Sequence, residues 1–419
     1  MNYYRPSQQQ KTAGLIRYSC GILFILFTFC YLFFLQGEIL AEAQHVYSKG
    51  VTTYNLLIGA IITTTVLQAI QRVVVILSRL PSRWHALSYL PSFLLLAILT
   101  SADRETIQHF SFGVWMWLLP LSLVAYCAIV IMLKKLSDAS SKESTDIKTQ
   151  VYPNFIVLFL LILGTGSIPQ SSDVFHYELK AERLILHKDY AAALKVGERS
   201  LRATPRLTQL RMYALSQQGQ LAELLFHYPQ YYGSQGLLDV TDTMSTYRVS
   251  PRHICQHLGA YAGSTVHSTQ RYYQLVLADS LWNQHTADYY LCSLLLDRQL
   301  STFRRELPRY YNLSDTLPHA YDQLPKAYRE ALLLAGERKA AMQGVLVVNA
   351  DTLARFSHQP LVADFCAYNQ LKAQLKDENE RVNKLHREFG NTYWWYYEYG
   401  AQAKGEIAQQ PLYHVKAKE

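Results

Sequence analysis

Long apolar runs separated by short polar connectors occupy the first 170 or so residues; beyond them the pattern changes to the three- and four-residue apolar spacing of amphipathic helices. A helix that crosses hydrocarbon needs about 20 mainly apolar residues, because every backbone polar group must be satisfied within the segment. Five runs meet or approach that length, at 14–35, 54–77, 87–102, 112–133 and 152–168. The third and fifth are short, which leaves tilted, re-entrant or hairpin-paired arrangements open alongside a full crossing. The pattern predicts an all-α protein: a transmembrane helix bundle of about five spans over 1–170, then a soluble helical domain over 171–419.

Charge in the connectors gives an orientation. Lys and Arg accumulate on the cytoplasmic side of a membrane protein. Here Arg5, Lys11 and Arg17 precede the first run, Lys49 alone follows it, Arg72, Arg79 and Arg83 come next, then Arg104 alone, then Lys134, Lys135, Lys142 and Lys148. This alternation predicts a cytoplasmic N-terminus. Five crossings then deliver the large C-terminal domain to the outer face, the periplasm if the membrane is the inner membrane of a Gram-negative bacterium. The first run is read as a retained span rather than a signal peptide, since it exceeds a usual h-region and QGEILAEAQ follows it without a small-x-small cleavage site.

The overall charge of +8 is therefore a topology signal and no sign of nucleic-acid affinity. The six cysteines add little. Cys20, Cys30 and Cys127 fall inside apolar runs as small hydrophobes, and Cys255, Cys292 and Cys366 are too widely spaced for a disulfide framework or a zinc knuckle.

Ionisable groups at mid-bilayer depth mark transport or catalysis, and the runs are nearly free of them. Arg72 with Gln68 and Gln71 forms the one polar cluster inside a run, near an end where a long side chain reaches the interface. Trp84, Trp115, Trp117 and Tyr152 stand at run edges, as interfacial anchors do. Four carboxylates in the outer connectors, Glu38, Glu42, Asp103 and Glu105, are the candidates for an outer-face catalytic site.

In the soluble half, QSSDVFHYELKAERLILHKDYAAALKVGERSLRATP reads as helix, turn, helix. It resembles a tetratricopeptide repeat, with Tyr177, Ala181, Asp189, Tyr190, Ala193 and Pro205 in that family's register. Small residues at Ala181 and Ala193 would let the paired helices approach. Lys188, Gly197 and Ser200 depart from the pattern.

A second pair is expected around a turn at Gly219 and Gln220, with Pro229 ending a shortened helix; Asp189 to Gln220 is 31 residues, against about 34 in the regular repeat. A third pair turns at Asp297 to Gln299. The stretch from 234 to 264 reads as loops around one or two short helices, and 361–389 as one long charged helix. The resemblance implies an irregular TPR-like α-solenoid.

The phrases LLDRQLSTFRRELPRYY, LPKAYREALLL and FGNTYWWYYEYG, with 31 tyrosines in the chain, resemble an uncharacterised family of Bacteroidota multi-spanning membrane proteins. That resemblance implies N-terminal spans followed by a TPR-like extracytoplasmic tail, and it brings no catalytic residues.

Two constellations remain. His253 and His257 stand four apart in HICQH, so one helix face could offer both imidazoles to a metal, although two ligands do not close a zinc site. The run Tyr393, Trp394, Trp395, Tyr396 and Tyr397 offers a large amphipathic contact area to a partner, or else caps the helical array. No GxxxxGK[ST], GxGxxG or GxSxG motif occurs, and no cofactor is expected.

The sequence thus predicts a non-catalytic membrane-anchored scaffold whose periplasmic domain binds a protein or peptide. The alternative is a membrane enzyme or transport component for an envelope glycan or lipid-linked sugar, using the outer-face carboxylates.

Overall fold

The computed structural model describes residues 8–102, 106–107, 112–139, 147–167, 173–240, 247–259, 268–278, 283–313, 320–342 and 359–408. All regular structure among them is helical. The chain divides into two compact units, Met1–Leu179 and Lys180–Glu419.

The first unit contains α1 (Gln8–Cys30), continued by one π-helical turn at Tyr31–Leu35, then α2 (Gly37–Tyr47), α3 (Leu56–Ser78), a 3₁₀ stretch at Ser82–Tyr89, α4 (Leu90–Thr100), α5 (Trp115–Ala139) and α6 (Ile147–Ser167). Four helical segments are long and apolar enough to cross a membrane: Thr12–Leu35, Leu56–Ser78, Trp115–Leu136 and Lys148–Ser167. They leave much of their apolar surface uncovered, Ile61, Ile62, Ile76, Leu121, Val124 and Phe159 among the exposed side chains. Soluble monomers rarely expose contiguous apolar surface on this scale.

The third sequence run departs from a simple span. Only α4 is α-helical there, and its 11 residues rise about 16 Å, half a bilayer core. Pro81 precedes the 3₁₀ stretch and Pro91 opens α4, so the ordinary i→i−4 ladder cannot run unbroken through the segment.

The packing of this composite segment is nonetheless ordered along its length. Asn154 of α6 donates to the carbonyls of Ser82 and Arg83 at 2.9 and 3.0 Å and accepts from the Ala86 amide at 2.7 Å. Ser88 accepts from Gln71 at 2.9 Å, and Ser92 donates to the Leu67 carbonyl at 2.9 Å. Tyr89 and Phe93 pack on Phe24 at 4.9 and 5.1 Å, and Thr100 lies 3.4 Å from the Tyr31 hydroxyl. From 82 to 100, partners climb α1 from Phe24 to Tyr31 and descend α3 from Gln71 to Leu67. The segment therefore runs parallel to α1 and antiparallel to α3.

The second unit takes up the end of α7 (Asp173–Leu186), followed by α8 (Tyr190–Lys195), α9 (Pro205–Gln217), α10 (Pro251–His257), α11 (Thr269–Ala278), α12 (Gln284–Leu296), α13 (Leu300–Glu306), α14 (Lys326–Met342), α15 (Gln359–Gln374), α16 (Glu378–Phe389) and α17 (Tyr393–Ala408). The central helices α9 and α12 are buried on nearly every side, as interior helices are.

Three helix ends of this unit are built alike, in the way that α2 also ends at Lys49 and Gly50. Lys188, Gly219 and Arg298 adopt left-handed φ values of 60°, 68° and 59°. The next amide in each case, that of Asp189, Gln220 or Gln299, returns to the carbonyl five residues back, at Leu184, Leu215 or Leu294. This is a Schellman closure, which satisfies the last carbonyls of the helix and reverses the chain. After the first and third turns a second helix follows, α8 or α13; after the second, residues 220–228 form successive turns and no α-helix.

The charged stretch at 361–389 is two helices, not one. The chain breaks after Gln374, and the Asp377 side chain caps α16 by accepting from the Asn379 amide at 3.3 Å. The 234–264 stretch holds only a 3₁₀ turn at Gly233–Gly236 and α10 among its described residues.

Candidate binding cleft

Because α8 is only six residues long, the chain that follows it lacks helical partners for its carbonyls. Side chains supply them. Arg211 donates to the carbonyls of Val196 and Gly197 at 3.1 and 2.8 Å, and its guanidinium lies over the Tyr228 ring. Tyr228, Tyr231 and Tyr232 donate their hydroxyls to Leu194, Leu201 and Ala203 at 2.9, 3.0 and 2.8 Å. These bonds fix residues 194–203 against 226–232 as one rigid wall.

The opposite wall is α16 and the start of α17. Glu378, Val382 and His386 lie one turn apart, with Asn379, Asn383 and Arg387 beside them, so one face of α16 looks into the space between the walls. Leu385 is the one described residue of α16 that is fully buried. The corner between the helices needs Gly390, where a Cβ would collide with the His386 carbonyl.

Between the walls lies a cleft of about 1280 Å³. Phe226, Tyr228, Gln230, Trp395 and Tyr396 form its deep part, and Glu198, Arg202, His227, Glu378, Arg387 and Glu388 stand around it. Two buried polar atoms there have no partner among the described residues: Trp395 Nε1, a donor, and Gln230 Oε1, an acceptor. Gln230 is held in place from its other end, where Nε2 donates to the Leu225 carbonyl at 2.7 Å. The His386 ring covers Trp395 at 4.4 Å, and burial pushes the His386 pKa down.

The aromatic run divides between core and cleft. Tyr393 and Trp394 are 0% and 1% exposed, so they serve the packing of the unit and offer no surface to a partner. Trp394 donates Nε1 to the Glu330 carbonyl at 2.9 Å and packs on Phe365 at 4.8 Å. Trp395 and Tyr396 line the cleft, while Tyr397 is half-buried outside its lining.

The other candidates are dispersed. His253 bonds Ser250 at 3.1 Å; His257 bonds Ser216 at 2.9 Å and stacks on His285 at 4.4 Å, so the two histidines of HICQH serve different neighbours. Among the described residues no group of three or more His, Cys, Asp or Glu could hold a metal. Glu38 and Glu42 lie one turn apart on α2, with Glu42 buried; Asp103 and Glu105 lie outside the described residues.

Sequence reading missed Gln230, Asn379, Asn383 and His386. The i, i+4, i+8 recurrence of Glu378, Val382 and His386 was the available signal, but on a highly charged helix it reads as a solvated face.

These features define an all-helical protein in which four apolar helices accompany a separate helical unit bearing an open cleft. The chain belongs to a family of unknown function (DUF6057), whose model matches residues 104–270 and 263–400. No curated protein and no solved structure matches the chain.

Proposed function

We propose that this chain is a membrane-anchored, non-catalytic binding protein that holds its helical C-terminal unit on the outer face of a bacterial inner membrane for a protein or peptide partner. The observation that carries the reading is the coexistence of uncovered apolar helices in one unit with an open cleft in the other. The first requires a lipid solvent; the second offers a surface that the chain's own described residues leave unfilled.

The composite segment from Ser82 to Thr100 acts as the third of five crossings. Its parallel course along α1 supports this, as does its length: eight 3₁₀ residues at about 2.0 Å and 11 α residues at about 1.5 Å total roughly 32 Å. Two contacts at its ends agree. Asn154, near the start of α6, meets the segment's beginning, and Trp115, at the start of α5, donates to Ser101 at 2.6 Å beyond its end. Ile39, Ile107, Phe175 and Leu179 share a small core, which is expected if the connectors after the first and third crossings and the chain after the fifth lie on one side. The Lys and Arg alternation supports reading that side as the outer one.

The three matching Schellman turns support a TPR-like reading of the tail, whose second hairpin has lost its return helix. The test is a set of fusions of alkaline phosphatase and of green fluorescent protein after residues 50, 80, 105, 140 and 408. Phosphatase activity after 50, 105 and 408, with fluorescence after 80 and 140, is expected. Fluorescence at 408 with no phosphatase activity there would overturn the topology and place the binding unit in the cytoplasm.

A further inference from the structure

We infer that Arg17 of α1 and Arg72 of α3 together form a site for the headgroup of an anionic phospholipid, in the leaflet that the proposed topology makes cytoplasmic. This rests on the reading of the first unit as a membrane bundle and adds a specific lipid partner to it.

The segment from Ser82 to Thr100 brings the two arginines to one level. Its Tyr89 ring packs on Phe24 at 4.9 Å, and a Cβ at Gly21 would stand 3.5 Å from the Tyr89 hydroxyl, so α1 passes close on one side. On the other side Gln71 of α3 donates to Ser88 at 2.9 Å. His85 lies one turn before Tyr89, with the two rings 6.0 Å apart. Arg17 is one turn before Gly21 on the parallel helix, and Arg72 directly follows Gln71 on the antiparallel one. Both guanidinium groups therefore come within electrostatic reach of the same His85 ring.

Two features distinguish this pair from a general surplus of basic residues on one side of a membrane. Arg17 is in helical register with Gly21, Phe24 and Thr28, all buried, so it stands on the inward face of α1; an arginine that only reaches for the interface needs no such position. Both arginines are nonetheless exposed, and among the described residues no carboxylate pairs with either. Like charges that converge on one point repel each other, and an anion between them relieves the repulsion. Guanidinium groups suit a phosphate in particular, because their paired N–H donors match two of its oxygens.

The surroundings select a lipid as the source of that phosphate. Tyr18 and Ile22 on α1 and Val73 and Ile76 on α3 are exposed beside the pair, as part of the uncovered apolar belt. A soluble phosphate gains nothing from that surface, whereas a phospholipid lays its acyl chains along it while the headgroup meets the cations. A zwitterionic headgroup brings its own ammonium, so two guanidinium groups favour one with net negative charge.

The test titrates the full-length protein in neutral detergent with phosphatidylglycerol, with phosphatidylethanolamine of the same acyl chains, and with glycerol phosphate, reading bound ligand by native mass spectrometry and the melting temperature in parallel. Phosphatidylglycerol should bind wild type and raise its melting temperature. Arg17→Gln combined with Arg72→Gln should weaken that binding by roughly tenfold, while the melting temperature without lipid stays unchanged. Lys135→Gln, which removes an exposed cation near the end of α5, should leave binding as it is. No binding of phosphatidylglycerol, equal binding of the two lipids, or an equal loss with Lys135→Gln would overturn the site. A matching response to glycerol phosphate would overturn the lipid as its ligand. The membrane reading survives each of these outcomes, and fails instead if the protein stays folded and monomeric in water without detergent.

Discussion

The Glu330 carboxylate accepts the backbone N–H of Tyr393 at 2.7 Å, tying α14 to the first turn of α17. Burial pushes its pKa up to about 7, against the opposing pull of Lys326 and the Tyr393 amide. A carboxyl whose folded pKa lies above its unfolded value of about 4.5 contributes stability fully below that unfolded value and loses it as pH rises through 7. Glu330→Gln keeps an acceptor and removes the titration. The difference in unfolding free energy, wild type minus Glu330→Gln, should be greatest below pH 4.5 and fall by roughly 3 kcal/mol as pH rises through 7, with the difference in melting temperature declining in step. Thermal unfolding of the full chain in detergent at several pH values measures it.

A second titration has the opposite sign. Burial and the neighbouring His285 lower the His257 pKa to about 4, so the unfolded chain binds this proton first as pH falls from about 6.5. His257 therefore contributes stability above pH 6.5 that drains away toward pH 4. His257→Gln should flatten this part of the profile, and melting curves between pH 7 and 5 show whether it does.

Arg206 and Glu182 form a buried ion pair at 2.5 Å, and both also bond Val249, one to its carbonyl and the other to its amide. Arg206→Ala should destabilise the chain by about 3–5 kcal/mol, because the Glu182 carboxylate loses its buried countercharge. Arg206→Met with Glu182→Leu should be less damaging than either single change. Denaturant titration followed by tryptophan fluorescence compares them.

The left-handed turns give a paired prediction. Lys188→Gly relieves a non-glycine residue at φ 60° and should stabilise by a few tenths to about 1 kcal/mol. Arg298→Gly has the same backbone geometry but should not stabilise, since the Arg298 guanidinium donates to the Tyr396 carbonyl at 3.1 Å. Equal gains in melting temperature from the two would contradict this.

Asn154 is 1% exposed and serves four backbone groups, on Ser82, Arg83, Ala86 and Gln150. Asn154→Leu should weaken the first unit by roughly 2–4 kcal/mol, at about 1 kcal/mol per hydrogen bond lost. Unfolding in mixed micelles with increasing dodecyl sulfate reports the loss.

Helicity, the four long apolar helices and all three hairpin turns were legible from the sequence, because apolar periodicity and turn chemistry are local properties. Asp189 and Gly219 are instances, each placed at a turn by the sequence; the structure adds that Asp189 caps α8 by accepting from the Ala192 amide at 3.0 Å and that Gly219 is left-handed. The 3₁₀ stretch was not legible: most of it precedes the apolar 87–102 run and is polar, and it is held by Asn154, nearly 70 positions away. The cleft escaped for the same reason. Gln230 and Trp395 look unremarkable until folding brings their segments together and leaves one atom of each unsatisfied.

The mixed winding of the proposed third crossing, Ser82 to Thr100, bears on how the protein is made. A segment led by Ser82, Arg83 and His85 partitions poorly into lipid by itself, since polar side chains and backbone groups without partners are costly to bury. Its polar first half bonds Gln71 on α3 and Asn154 on α6, and Asn154 is synthesised last. On the proposed topology this makes assembly of the bundle cooperative: a nascent chain arrested before residue 154 is expected to hold the segment outside the bilayer.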